Sequence, residues 1–209
     1  MPDKKFEILN RETLFQGFFR VDRFRLRHEL FAGGWSGPFT REVFQKSGRF
    51  AAVLPFDPKN DRLVLIEQFR AGVLAAGEHP WITEVVAGFI DGNETPEDTA
   101  RREAREEAGC EISELHKIAD YFSSPGSNSE HITLFAGRTV APEDSTIYGV
   151  PHEDEDIRVR VLDATQAISL LYTGKIRDAL TLIALQWFAM HHTGLRSRWL
   201  VSDVGTPII

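Results

Sequence analysis

Between residues 102 and 107 the chain reads Arg102, Glu103, Ala104, Arg105, Glu106, Glu107, with three carboxylates crowded into five positions beside arginines. Carboxylates spaced this way on a helix lie on one arc of about 100°, with Glu106 and Glu107 flanking Glu103. Arg102 to Glu106 is a favourable pair, but Glu103 repels both Glu106 and Glu107, each at about 0.2 to 0.5 kcal/mol if uncompensated. A solvated helix face selected for stability would exchange one of them. Hard carboxylate oxygens gathered on one side are instead the ligand set of a divalent cation such as magnesium, which binds through few protein oxygens and keeps waters and substrate phosphates as the rest.

The helix that must present them is marked at both ends. Thr95 suits the N-cap, Pro96 the first turn, and Glu97 and Asp98 the positive end of the dipole. Gly109 suits the C-terminal stop, which predicts a helix over Pro96 to Ala108. Its opposite face carries Ala100, Ala104 and Ala108, small enough for close packing on a sheet. Expected core strands are Ala51 to Phe56 and Leu63 to Phe69, joined by the turn cluster Asp57 to Asp61, followed by Ile82 to Ala87. Ile118 to Phe122, Ile132 to Val140 and Arg158 to Leu162 are later strands, separated by loops over 123–131 and 141–156. Asp163 caps a short helix, and Ala179 to His192 is read as the last one.

Ahead of these, Phe24, Leu26 and Leu30 alternate with Arg23, Arg25, Arg27 and Glu29, the pattern of a half-exposed strand. Glycines and Pro38 then turn the chain back into Thr40 to Phe44. The expected organisation is an N-terminal antiparallel β unit over 1–46 and a larger domain over 47–209. A few such strands bury too little to stand alone, so the unit must pack on the rest of the chain or on a second subunit.

Composition narrows the classes. At 209 residues and 42% hydrophobic the chain can bury a real core, and a formal charge of -7 argues against a nucleic-acid binder. No apolar run approaches the ~18 residues of a membrane span. The single cysteine, Cys110, cannot close an internal disulfide, and no signal-peptide pattern opens the chain, so the cytosol is the expected compartment.

Gly88, five residues, Glu94, seven residues, then Arg102 to Gly109 and Cys110 resemble the box of the Nudix hydrolases, with every fixed position matched and small residues, Ala104 and Cys110, at two aliphatic positions. The resemblance implies an α/β fold, a Nudix-type α/β/α sandwich with a mixed sheet. It also implies magnesium, or manganese, held by Glu103, Glu106, Glu107 and the Ala87 carbonyl, with Glu94 and Arg102 as an orienting ion pair. RETLFQGFFRVD at 11–22, TREVF at 40–44, AAVLPFDP at 51–58, VLIEQFR at 64–70 and SSPG at 123–126 further resemble the ADP-ribose pyrophosphatase subfamily. Pro125, sixteen residues after Gly109, has the spacing associated there with ADP-ribose.

By position the subfamily implies a homodimer with exchanged N-terminal strands. Phe18, Phe19, Arg41 and Glu42 would border the adenosine pocket, and Arg70 would meet the diphosphate or terminal ribose. Phe89, Ser124, Gly126 and Glu130 would line the site. The acidic loop from His152 to Asp156 offers several carboxylates as general base, among which the resemblance selects Glu153, with Glu155 able to approach a metal. The expected reaction is hydrolysis of the diphosphate of ADP-ribose. Alternatives are another sugar nucleotide such as GDP-mannose, or a non-catalytic nucleotide-sensing domain.

Overall fold

The computed structural model describes residues 3–45, 48–150 and 155–201, arranged as two compact units, Met1–Arg49 with Phe122–His131, and Phe50–Tyr121 with Ile132–Ile209. The first unit is an antiparallel sheet in the order β1 (Phe6–Gln16), β2 (Arg20–His28), β3 (Phe39–Gln45). β1 has no clean alternation and its strand state comes from pairing with β2 along its length. Asp22, the one buried residue of β2, accepts from Thr13 at 2.8 Å and is paired with Arg11 and Arg20. The turn over Ser124–Asn128 docks against β3, where the Phe44 N–H donates to the Ser127 carbonyl and the Ser129 N–H to that of Phe44.

The second unit is a mixed eight-stranded sheet between helices. Its strands are β4 (Arg49–Asp57), β5 (Arg62–Phe69), β6 (Trp81–Glu84), β7 (Val86–Phe89), β8 (Glu114–Phe122), β9 (His131–Arg138), β10 (Ile147–Tyr148) and β11 (Ile157–Asp163). They run in the order β10-β11-β5-β4-β9-β8, with β6 on β5 and β7 on β4. Apolar runs such as Ala51–Phe56 are continuous because both faces are covered. Ala52, Leu54 and Phe56 enter the core that also holds Ala184, Leu185, Phe188 and Trp199 of α4 (Ala179–Val201) and Ala164 and Ala167 of α3 (Ala164–Ser169). Ala51 and Val53 face the other side, against Ala100, Ala104 and Ala108 of α2 (Pro96–Ala108). The α/β sandwich expected from the sequence is the fold observed.

Local departures have physical reasons. Ile82 to Ala87, expected as one strand, is two. β4 and β5 pair only at Phe56–Leu63 and Asp57–Arg62 and then splay, so β6 follows β5 while β7 follows β4, with the break at Val85. A short helix, α1 (Ala71–Ala75), links β5 to β6 and buries none of its residues, so no periodic signal announces it. The last helix continues past His192 to Val201 because Leu195 and Trp199 extend the face begun by Phe188. No helix of the described residues is long and apolar enough to cross a membrane.

The end of α2 supplies a test. Gly109 is left-handed at φ 61°, and a Cβ there would lie 2.2 Å from the Tyr148 hydroxyl. Gly92 shares the conformation (φ 51°) but nothing lies within 4 Å of its Cβ position. Gly92→Ala should cost about 1 kcal/mol for the backbone alone. Gly109→Ala should cost roughly 1 to 2 kcal/mol more, because Tyr148 must also move. Thermal unfolding of both variants checks this, and equal shifts would show that the Tyr148 contact contributes nothing.

Candidate active site

All the box residues lie in the second unit. α2 begins as a capping box, with the Asp98 N–H donating to the Thr95 hydroxyl and the Thr95 N–H to the Asp98 carboxylate, so its start is set to the residue. The three alanines let the helix approach the sheet where β7 passes beneath it, and the resulting contact explains Gly88. A Cβ on that residue would sit 1.8 Å from Glu103 Oε1, so any other side chain would displace the carboxylate.

One guanidinium organises the cluster. Arg102 Nε donates to Glu94 Oε1 at 3.0 Å and Nη2 to Glu94 Oε2 at 3.1 Å. Nη2 also donates to the Phe89 carbonyl at 3.0 Å, while Nη1 reaches Glu103 at 2.7 Å and Glu106 at 2.9 Å. Hydrogen bonds from Arg102 and Thr99 hold the Glu94 carboxyl down to about 2, so it stays ionised. Glu103 goes the other way: burial, with help from the charges of Glu106 and Glu155, pushes it up to about 7 against the pull of Arg102. Glu107, only 3% exposed, is raised well above the ordinary carboxyl range by burial and by Glu103, although the Ala87 N–H donates to it at 3.1 Å.

These observations fit a cation. Buried carboxylates that repel one another are costly unless neutralised, and Arg102 supplies one positive charge to a group that also feels Glu155. Glu155 is held from its own side, its Oε2 accepting from the Val150 N–H at 3.1 Å. Glu103, Glu106, Glu107 and Glu155 are all oxygen donors, the set a hard divalent ion prefers. The contact between Ala87 and Glu107 is made by the Ala87 N–H. Among the described residues no three acidic, histidine or cysteine side chains stand already converged as a metal cage, since Glu103 and Glu106 are turned to Arg102 and Glu107 to Ala87.

The remaining expected residues fall in two groups. In the second unit Arg70 donates from Nε to Glu84 at 2.7 Å, and Phe89 packs its ring against Phe50 with centroids 4.0 Å apart. In the first unit Phe18 is 82% exposed and meets Phe19 edge-on, while Phe19 contacts Phe44. Arg41 lies over the Phe39 ring and donates to the Thr40 carbonyl, whereas Glu42, its neighbour on β3, pairs with Arg23. Ser124 and Gly126 belong to the turn that docks on Phe44, with the Ser124 carbonyl accepting from Ser127 and Asn128, and Glu130 follows it, its carbonyl accepting from Ser123. Glu153 lies outside the described residues.

Three neighbours of the site carry no local signal in their spacing. Tyr148 lies against Gly109, and the next residue, Gly149, donates its N–H to the Glu106 carbonyl at 3.3 Å, tying the strand ahead of the acidic loop to the glutamate helix. Glu84 is a buried carboxylate closing an apolar strand, and that misplaced charge is the signal that could have marked it.

Comparison with known proteins follows the same lines. The family model described as NUDIX domain matches residues 46–184. The ADP-ribose pyrophosphatase of Escherichia coli (strain K12) is 45% identical over 193 residues, covering 92% of each chain. That of Haemophilus influenzae is 40% identical over 92% of this chain and 90% of its own. The GDP-mannose pyrophosphatase of Escherichia coli O1:K1 / APEC is 37% identical over 73% of this chain and 78% of its own. A solved structure described as an ADP compounds hydrolase superposes with a TM-score of 0.72 at 22% identity, over 91% of this chain and 96% of that one, a likeness of fold. With the family model spanning more than half the chain, and the Gly88–Gly109 geometry built around its glutamates, this protein belongs to the NUDIX domain family.

Proposed function

We propose that this protein is a Nudix pyrophosphatase that hydrolyses the diphosphate of ADP-ribose to AMP and ribose 5-phosphate with magnesium, or manganese, as cofactor. The observation that carries the reading is the carboxylate cluster of α2: Glu103, packed over Gly88, and Glu107, held at the Ala87 N–H, are buried side by side and raised in pKa, and a cation would stabilise them as anions. Choice of substrate is supported by relatives named ADP-ribose pyrophosphatase, which match 92% of this chain, against 73% for the one named GDP-mannose pyrophosphatase.

Glu103, Glu106, Glu107, Glu155 and the Ala87 carbonyl would hold the ion. When bound, magnesium would neutralise the diphosphate and polarise an attacking water. Arg102, locked by Glu94 and the Phe89 carbonyl, keeps the helix glutamates in place. Glu153 would accept the proton of that water, and Arg70 would meet the diphosphate. Phe18, Phe19, Arg41 and Glu42 would border the adenosine, Phe18 offering an open ring for stacking. Phe89, Ser124, Gly126 and Glu130 would line the rest. Phe6, Phe15, Phe18 and Phe31 are largely exposed in the first unit, which supports a homodimer in which a second copy covers part of that surface.

The direct test is turnover of ADP-ribose and GDP-mannose side by side, with and without magnesium, products read by mass. AMP and ribose 5-phosphate appearing only with the metal is the expected result, and a clear preference for GDP-mannose would replace the substrate. Glu107→Gln should lower turnover by roughly two orders of magnitude or more and weaken metal binding. Glu153→Gln should lower turnover by roughly 100-fold or more with metal binding intact. Near-normal activity in either variant removes that residue's role.

Acidity gives a separate prediction. Glu103, normally near 4.5, is raised to about 7, so the metal-free protein gains stability from its protonation at low pH and loses it as pH rises through about 7. A bound cation removes that loss. The melting-temperature gain from added magnesium should therefore be larger at about pH 8 than at about pH 5.5. A gain that is the same at both, measured by thermal unfolding, would contradict it.

A further inference from the structure

Glu84 is 8% exposed at the end of β6, in a strand otherwise made of Trp81, Ile82 and Thr83, and the core residues Val85 and Val86 follow it. A carboxylate in that position is costly unless it is paired and used. Its partner is Arg70, the last residue before α1, whose Nε donates to Glu84 Oε2 at 2.7 Å. Among the described residues the Arg70 guanidinium is bonded through Nε, and its two Nη groups have no partner among them. The guanidinium is near enough to Glu107 for its charge to act on that carboxylate. Backbone pairing sets both ends: the Arg70 N–H donates to the Pro80 carbonyl, and β6 runs antiparallel to β5 from Trp81 opposite Phe69 to Glu84 opposite Ile66. A planar guanidinium held by Nε presents its two Nη groups as a fork, the geometry that matches a pair of phosphate oxygens.

We propose that Glu84 is a positioning residue for the hydrolytic reaction, holding the Arg70 guanidinium by Nε so that its Nη groups face the substrate diphosphate beside the glutamate cluster. This rests on the reading above, in which Arg70 meets the diphosphate. Glu84 touches no substrate, and its whole effect on turnover passes through Arg70.

A double-mutant cycle on the full chain tests it, using Arg70→Ala, Glu84→Gln and the two combined. KM and kcat are measured with magnesium on whichever nucleoside diphosphate compound the unaltered protein cleaves, alongside melting temperature. Glu84→Gln should lower kcat/KM by about tenfold, at the low end of what losing an outer supporting group costs. In the Arg70→Ala background the same change should cost less than about twofold, since nothing is left to position. An equal loss in both backgrounds would overturn the proposal, as would an unaltered kcat/KM in Glu84→Gln or in Arg70→Ala. Where Glu84→Gln does not fold, Glu84→Asp, which keeps the charge but draws the carboxylate back, takes its place and is read the same way. If the unaltered protein cleaves another compound in preference to ADP-ribose, the substrate assignment fails while the cycle still decides the role of Glu84.

Discussion

Arg102 is the contact on which the site depends. Its guanidinium touches Glu94 twice, Glu103, Glu106 and the Phe89 carbonyl, so one side chain joins the box loop, the helix and strand β7. A network of this kind is worth more than its separate pairs because each member is already ordered by the others. It is also incomplete, since among the described residues Glu107 lies beyond its hydrogen bonds and accepts from the Ala87 N–H. The imbalance sets the helix apart: α2 is well capped and tightly packed, yet it carries charge that its own arginine does not fully answer.

The sheet is shaped around that helix. Ala100, Ala104 and Ala108 contribute little apolar area, and their value is that they bring α2 close to β7, where a glycine is required under Glu103. Splaying of β4 from β5 gives β6 and β7 separate partners, which puts the Ala87 peptide under Glu107 and lets Glu84 close its own strand beside Arg70. The large aromatic side chains Phe56, Phe188 and Trp199 pack together on the opposite face.

Much of this was legible because the signals were local. Thr95, Pro96 and Gly109 bracket α2 at the residues where it begins and ends, and the continuous apolar runs of β4 and β5 give strands covered on both faces. What escaped depends on distant partners. The break at Val85 follows from which strand each half pairs with, the extension of α4 from the burial of Leu195 and Trp199 in the core, and α1 from a turn that buries nothing. Within the candidate site, residue types and spacing picked out the glutamates of α2. The Arg102 bridge was visible only as an expected pair with Glu94 and a favourable spacing to Glu106, while the contact with Glu103 emerged from the fold. Glu84 went unread because a single acidic residue in an apolar segment has no periodicity to betray its partner.

The central claim is that Glu103, Glu106 and Glu107 are arranged for a cation rather than for one another. Anomalous diffraction from crystals soaked in manganese locates such an ion directly. A peak bounded by these three carboxylates and the Ala87 peptide is the expected result, with Arg102 retaining Glu94. An ion bound only elsewhere, with the three glutamates still turned to Arg102 and Ala87, would contradict it.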